Sequence, residues 1–339
     1  MPDVTSFITR SIQGAAQGMA QAAAPGSASA RNGFSRVGIA ISVLVVIAAG
    51  VVLYHILRDI DWRLVGRAIR ATPPADVALA ACFVGMGYVT LTFYDFFSLR
   101  TIGRDHVPYR IAAMASFTSY SIGHNLGATV FTAGAVRWRI YSAWNLTLID
   151  VAKMAFVTGL TFWLGNIVVL GFCMLLVPEA AGAVDQLPPL ANQALGALGL
   201  AVIAGYVFWI SQGERVIGRN SWSVVLPNAR LTLLQIGIGV LDLGVGGLAI
   251  YVLLPDMPPI DYVTVLVIYV TAILLGFLSH APGSLGVFEA AILIALPQFA
   301  KEELLASLLI FRCLYFVLPL FLAVSIMAIR EMWLASRSS

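Results

Sequence analysis

The sequence predicts an all-α integral membrane protein of about eight apolar helices, with two broken or re-entrant segments. Three observations carry that expectation. Of the 339 residues, 60% are hydrophobic and only 11% are charged, about half the charged share of a soluble domain. The apolar residues form continuous runs near the ~20 residues a helix needs to cross a bilayer, not the short alternating segments of a β-barrel. Ionisable residues inside those runs are few, and several of them flank two Gly-rich interruptions.

Residues 1–36 form a small, polar arm carrying Arg10, Arg31 and Arg36. Residues 37–57 are apolar and are followed by Arg58, Asp59 and Asp61 instead of a cleavage site, so they read as an uncleaved first transmembrane helix. The 58–70 loop, with four Arg and two Asp, reads as an interfacial helix. Further spans are expected at 76–98, 111–133, 147–177, 191–210, 230–254, 262–279 and 303–329. Pro73 and Pro74 suit a helix start. Pro178, Pro188, Pro189, Pro255, Pro258 and Pro259 mark short loops. The membrane body is thus residues 37–330, with a short tail at 331–339. Cys82, Cys173 and Cys313 lie in apolar runs at spacings that suit neither a metal site nor a disulfide framework.

Basic residues set the expected orientation. The arm, the 100–110 loop (Arg100, Arg104, Arg110), the 211–230 loop (Arg215, Arg219, Arg230) and the tail (Arg330, Arg337) read as cytoplasmic, placing the N-terminus inside. The 178–190 loop (Glu179, Asp185) and the 254–261 loop (Asp256, Asp261) read as outside. These assignments leave a parity problem, because two apolar runs lie between residue 110 inside and residue 180 outside. The same conflict arises between the 254–261 loop and the tail. A re-entrant hairpin at 111–133 and another at 280–297 removes both conflicts, since broken backbone at membrane depth is tolerated inside protein or beside a wet cavity.

Those stretches carry matching breaks: Ser121-Ile-Gly-His124-Asn125-Leu-Gly127 and Ser279-His280-Ala-Pro282-Gly283-Ser284-Leu-Gly286. Both contain His-x-x-Gly. Paired interrupted helices in two halves of a chain point to a transporter's binding site near the midplane; chance recurrence of a short pattern is the alternative. Charges in apolar segments are costly and therefore candidates for function. They are Asp95, Arg137, Arg139, Asp242, Glu289 and Arg312. Asp150 and Lys153 read as an interfacial ion pair, and Asn166, Trp163 and Tyr315 as packing residues. Both signs among the candidates suit a headgroup bearing phosphate and ammonium, and equally suit structural ion pairs.

The segment from Tyr94-Asp95 to Arg100, the first break, Gly134-Ala-Val-Arg137-Trp-Arg139-Ile-Tyr141, Thr161-Phe-Trp163-Leu-Gly165, the second break through Phe288-Glu289, and Phe311-Arg312-Cys-Leu-Tyr315 resemble the membrane flippase half of bacterial multiple peptide resistance factor. That family is the lysylphosphatidylglycerol synthase/flippase. The likeness runs from about 37 to 330, with Ser284 where the family usually has Gly. It implies an inner-membrane translocase moving aminoacylated phosphatidylglycerol to the outer leaflet. Arg137, Arg139 and Arg312 would hold the phosphate, and Asp242 and Glu289 the ammonium. Asp95, His124, Asn125, His280 and Ser284 complete the candidate substrate site. No synthase domain follows, so the expectation is a transporter rather than an enzyme. No cofactor is expected, and no Gly-x-x-x-x-Gly-Lys-Ser/Thr occurs to bind nucleotide. Expected partners are a membrane phospholipid, a separate synthase and further copies of the chain. Nucleic acid is excluded by a net charge of only +3. The competing classes are an ion-coupled transporter of a small solute and a membrane partner of a lipid-modifying synthase.

Overall fold

A computed structural model of the chain describes residue 54, residues 57–58, and residues 60–338 apart from 128, 220 and 221. The expected arm at 1–36 lies outside the described residues, as does nearly all of the expected first span at 37–57, His55 included. The first helix described in full is α1 (Trp62–Ala71), capped by the Asp61 carboxylate, which accepts from the Arg63 N–H at 2.8 Å. Ile60 and Val65 pack on Leu305 and Ala306, while Trp62, Leu64 and Ile69 stay exposed beside Arg63, Arg67 and Arg70. An apolar and basic outer face is what an interfacial helix offers to headgroups.

Eleven longer or shorter helices follow: α2 (Pro74–Thr101), α3 (Tyr109–Leu126), α4 (Thr129–Tyr141), α5 (Leu148–Leu176), α6 (Pro178–Asp185), α7 (Pro189–Ser211), α8 (Ala229–Tyr251), α9 (Tyr262–Ser279), α10 (Val287–Ala295), α11 (Lys301–Arg312) and α12 (Leu318–Ser338). A π turn, Cys313–Val317, joins α11 to α12 into one rod. Among the described residues, six segments are long and apolar enough to cross a membrane: α2, α5, α7, α8, α9 and the rod from Lys301 to Trp333. Helix α7 shows why water is the wrong solvent. Leu190, Leu195, Leu198, Val202 and Phe208 are all exposed along it, a stripe that only lipid covers without cost. The protein is an all-α integral membrane protein.

Where the long helices touch, small residues let their backbones approach. A Cβ added to Gly165 of α5 would lie 2.8 Å from the Cα of Gly239 in α8, and one on Gly196 of α7 would lie 2.7 Å from the Gly171 carbonyl oxygen of α5. Close approach through Gly is how helices gain contact when lipid is as apolar as their side chains.

Contacts sort the loops into two ends. At one end, Leu99, Val107, Ala112, Ile140, Tyr141 and Met154 form a cluster with Met327, and Arg139 pairs with Glu331. Thr101 also lies beside the 210–231 turn. At the other, α1 packs on the start of α11, and Leu253, Leu254, Leu296, Phe299 and Leu304 pack together. The basic loops expected on one side therefore share an end, and the 178–190 and 254–261 loops share the opposite one. Helices α3 and α4 leave the first end and return to it. Helices α9 and α10 leave and return to the second. The order helix, hairpin, helix occurs twice, as α2, α3–α4, α5 and as α8, α9–α10, α11–α12, in opposed directions.

Two sequence expectations need correction. Asp150 does not pair with Lys153. It is the third residue of α5, where its carboxylate turns back to the Thr147 N–H at 2.8 Å and takes Arg104 at 2.9 Å. A capping position points a side chain toward the helix start, away from a residue one turn ahead. The second hairpin is not confined to 280–297: the 262–279 run, expected as a span, is its first leg, α9, and α10 is its return. Within the 211–230 loop, β1 (Val216–Arg219) and β2 (Trp222–Val225) pair antiparallel, Val216 opposite Val225.

Candidate functional site

The two hairpins meet tip to tip. Helix α3 ends at Gly127, whose φ of 72° and ψ of −176° suit glycine alone. A Cβ there would lie 3.0 Å from Pro282 Cα and 3.2 Å from the His280 carbonyl oxygen, so the first break rests directly on the second. The second break is longer. Helix α9 stops at His280 in a left-handed conformation, Pro282–Ser284 form one 3₁₀ turn, and Gly286 (φ 82°) opens α10. Glu289 caps that opening, its carboxylate accepting from the Gly286 N–H at 2.9 Å.

Each hairpin is anchored by an arginine. Arg137 on α4 grips Asp95 on α2 with two nitrogens, the shortest contact 2.7 Å, and the Tyr141 hydroxyl donates to the same carboxylate at 2.9 Å. The pair is buried, with side chains 4% and 0% exposed, and Arg137 still reaches the wall of the cavity between the tips. Arg312 on α11 pairs with Glu289 on α10 and donates to the Gly283 carbonyl at 2.9 Å. A charged group thus satisfies backbone that the break removes from the helix ladder.

The rod is broken for a related reason. Pro319 has no N–H, so the Tyr315 carbonyl loses its helical donor. The Tyr88 hydroxyl donates to it instead, at 3.0 Å. The next carbonyl, Phe316, accepts from Asn125 Nδ2 at 3.0 Å, tying the first hairpin tip to the π turn. π turns of this kind recur at functional sites.

Between the tips, α5 and α8 lies a cavity of about 240 Å³. Of the expected substrate-site residues, His124, Arg137, Asp242, His280 and Ser284 line it, and so do Trp163 and Tyr315, which read as packing residues in the sequence. Asp95, Asn125, Glu289 and Arg312 do not line it but hold its walls in place. Arg139 stands apart: its side chain is 52% exposed and pairs with Glu331 at 2.7 Å. Two helical positions beyond Arg137, it points elsewhere on α4, so it leaves the expected phosphate-binding set. Four tyrosines, Tyr94, Tyr120, Tyr269 and Tyr315, also line the cavity. Tyrosines well inside spans, away from the interfaces that usually hold them, were the sequence signal for these. The cavity opens sideways: Val130, Phe131, Trp163 and Phe277 both line it and are exposed. Trp163 sits at the middle of the 29-residue α5, so the opening is at mid-depth in the lipid-facing wall.

Fold and site together define a polytopic membrane protein with two opposed hairpins closing on a side-opening, largely apolar cavity that holds a few polar groups, Arg137, Asp242, His124 and the tyrosines among them. No family model matches the chain. It is 28% identical over 285 residues to the inner membrane protein YbhN of Escherichia coli, covering 82% of this chain and 87% of that protein. It is 27% identical over 285 residues to the uncharacterized protein slr0712 of Synechocystis sp., covering 84% of this chain and 87% of that one.

Proposed function

We propose that the protein is a phospholipid translocase of a bacterial inner membrane, carrying an amine-bearing lipid such as aminoacylated phosphatidylglycerol between leaflets. The side opening carries this reading. A headgroup would enter the cavity at mid-depth and meet its few polar groups, Arg137 and Asp242 among them, while its acyl chains stay in lipid, past Val130, Phe131, Trp163 and Phe277. A small-solute carrier would instead open its site toward water at one end. The resemblance to the flippase half of multiple peptide resistance factor supports the lipid class, and the E. coli relative's name supports the membrane.

Within the cavity the binding roles fall to fewer residues than the sequence suggested. Arg137 offers the phosphate a cation whose position Asp95 fixes. Asp242 and the tyrosine faces offer the ammonium a carboxyl and cation–π contacts. Glu289 and Arg312 neutralise each other and act on the second hairpin's shape. The test is lipid transfer in proteoliposomes, using labelled lysyl- or alanyl-phosphatidylglycerol, plain phosphatidylglycerol and a sterol-like lipid. The expected result is faster transfer of the aminoacylated lipid with protein than without. Equal rates with and without protein for every lipid would sink the reading.

A further inference from the structure

Three carboxyl groups sit at membrane depth in the described bundle, and their partners differ. Asp95 faces Arg137 and Glu289 faces Arg312, so each has a cationic partner. Asp242 on α8 forms none of the ion pairs seen among the described residues. Two hydroxyls of α2 are its hydrogen-bond neighbours: Tyr94, which can donate to the carboxyl whether or not it carries a proton, and Thr90, with Oγ1 3.0 Å from Asp242 Oδ1. The same Thr90 Oγ1 lies 2.6 Å from the Gly87 carbonyl oxygen.

A threonine hydroxyl has one hydrogen to give. A carbonyl only accepts, so at 2.6 Å that hydrogen goes to Gly87. The Thr90 oxygen then meets Asp242 as an acceptor. An ionised carboxylate is itself acceptor-only, and two acceptors at 3.0 Å repel. The contact is favourable when Asp242 carries the proton and donates to Thr90.

The surroundings agree. From α2, Tyr88 and Tyr94 face the carboxyl, from α9 Tyr269, and from the π turn Tyr315. Across the cavity stand Tyr120 and His124 of α3, Arg137 of α4, already held by Asp95, and His280 beyond α9. Helix α5 has only Asp150, Lys153 and Cys173, all toward its ends, and α7 has only Tyr206. Arg312 of α11 is engaged by Glu289. No cation contacts Asp242 among the described residues, yet the group borders a cavity through which a charged headgroup would pass.

We propose that Asp242 is a proton-carrying site: it is protonated in the geometry seen here, and a cationic group entering the cavity competes with that proton for the carboxylate. The step balances simply. The O–H bond of the carboxylic acid breaks, the proton leaves to cavity water, and the carboxylate pairs with the incoming ammonium. Lipid transfer would then be a proton-for-cation exchange, a consequence that rests on the translocase reading above; the protonation state does not.

Two experiments separate the claims. Infrared spectroscopy of the full chain in lipid at neutral pH should show the carbonyl stretch of a protonated carboxylic acid, absent in Asp242→Asn. Should that variant fold poorly, Thr90→Val reports the same point by sign. It removes an acceptor for the acid proton, so the pH at which the band disappears should fall by up to about one unit. No acid band in the wild type, or a rise on Thr90→Val, overturns the proposal. In proteoliposomes holding lysyl-phosphatidylglycerol, a pH difference of about one unit should enrich the lipid up to about tenfold in the acid-side leaflet, at one proton per lipid. Transfer that ignores the gradient overturns the exchange and leaves the translocase standing. No transfer at all sinks the translocase, and the infrared result still decides Asp242.

Discussion

The two hairpins solve one problem with different chemistry. The first turns at Gly127, so little backbone is stranded, and its arginine is free to grip a side chain, Asp95, in a buried pair. The second turns over His280 to Gly286, which strands carbonyl groups, and its arginine is spent on Gly283 as well as Glu289. The first is pinned from outside by α2. The second is pinned partly by its own backbone, with Arg312 12% and Glu289 9% exposed beside it. A tight break is held by a conventional ion pair, whereas a long break places a cation inside itself to satisfy the stranded carbonyls. If the proposed translocation moves a hairpin, the second, whose anchoring pair is the more exposed, is the one expected to move.

The largest effect should separate the two anchors. Arg137→Ala leaves Asp95 buried and unpaired, which costs about 3–5 kcal/mol. Arg312→Ala leaves a partly wetted Glu289 that still caps α10, so the loss should be nearer about 2 kcal/mol. Thermal unfolding in detergent measures both. Arg137→Ala should express poorly, while Arg312→Ala should fold and transfer lipid slowly. Equal destabilisation by the two substitutions would erase the contrast between the hairpins. Replacing Asp95 and Arg137 together by apolar residues should recover much of the stability, because the cost lies in the orphaned charge.

Gly127→Ala should come next, at about 1–3 kcal/mol, because alanine is strained at this backbone conformation. The new methyl would also press on Pro282 backbone at 3.0 Å, where nothing flexible can give way. The readouts are the same melting curve and the lipid-transfer rate. An alanine variant as stable and active as the wild type would mean that the tips separate freely, and that their contact is not what orders the cavity.

Much of this architecture is legible in the sequence. Hydropathy located the spans, and counting crossings against Arg-rich loops demanded two segments that turn back. Gly127 and Pro282-Gly283 marked where, because these residues alone announce a break. What stayed hidden was who pairs with whom. Asp95 and Arg137 are 42 residues apart, and Glu289 and Arg312 are 23 apart; no helical period links either pair. Asp150 misled because a spacing of three allows a pair with Lys153, while the capping box that redirects it depends on where α5 starts. Thr90 and the cavity tyrosines were missed because hydroxyls within apolar runs look like packing until their neighbours on other helices are known.

The smallest effect tests the boundary of the site. Arg139 looked equivalent to Arg137, being basic, nearby and on the same hairpin. In the structure it lies at the first end, where its half-exposed guanidinium meets Glu331 of α12. An exposed pair of this kind contributes about 0–1 kcal/mol, and its removal strands no buried charge. Arg139→Ala should therefore melt close to the wild type and transfer lipid at close to the wild-type rate. The same substitution two residues earlier should abolish both. If Arg139→Ala instead halted transfer in a well-folded protein, the pairing with Glu331 would have to open during the cycle, and the first hairpin, not the second, would be the moving part.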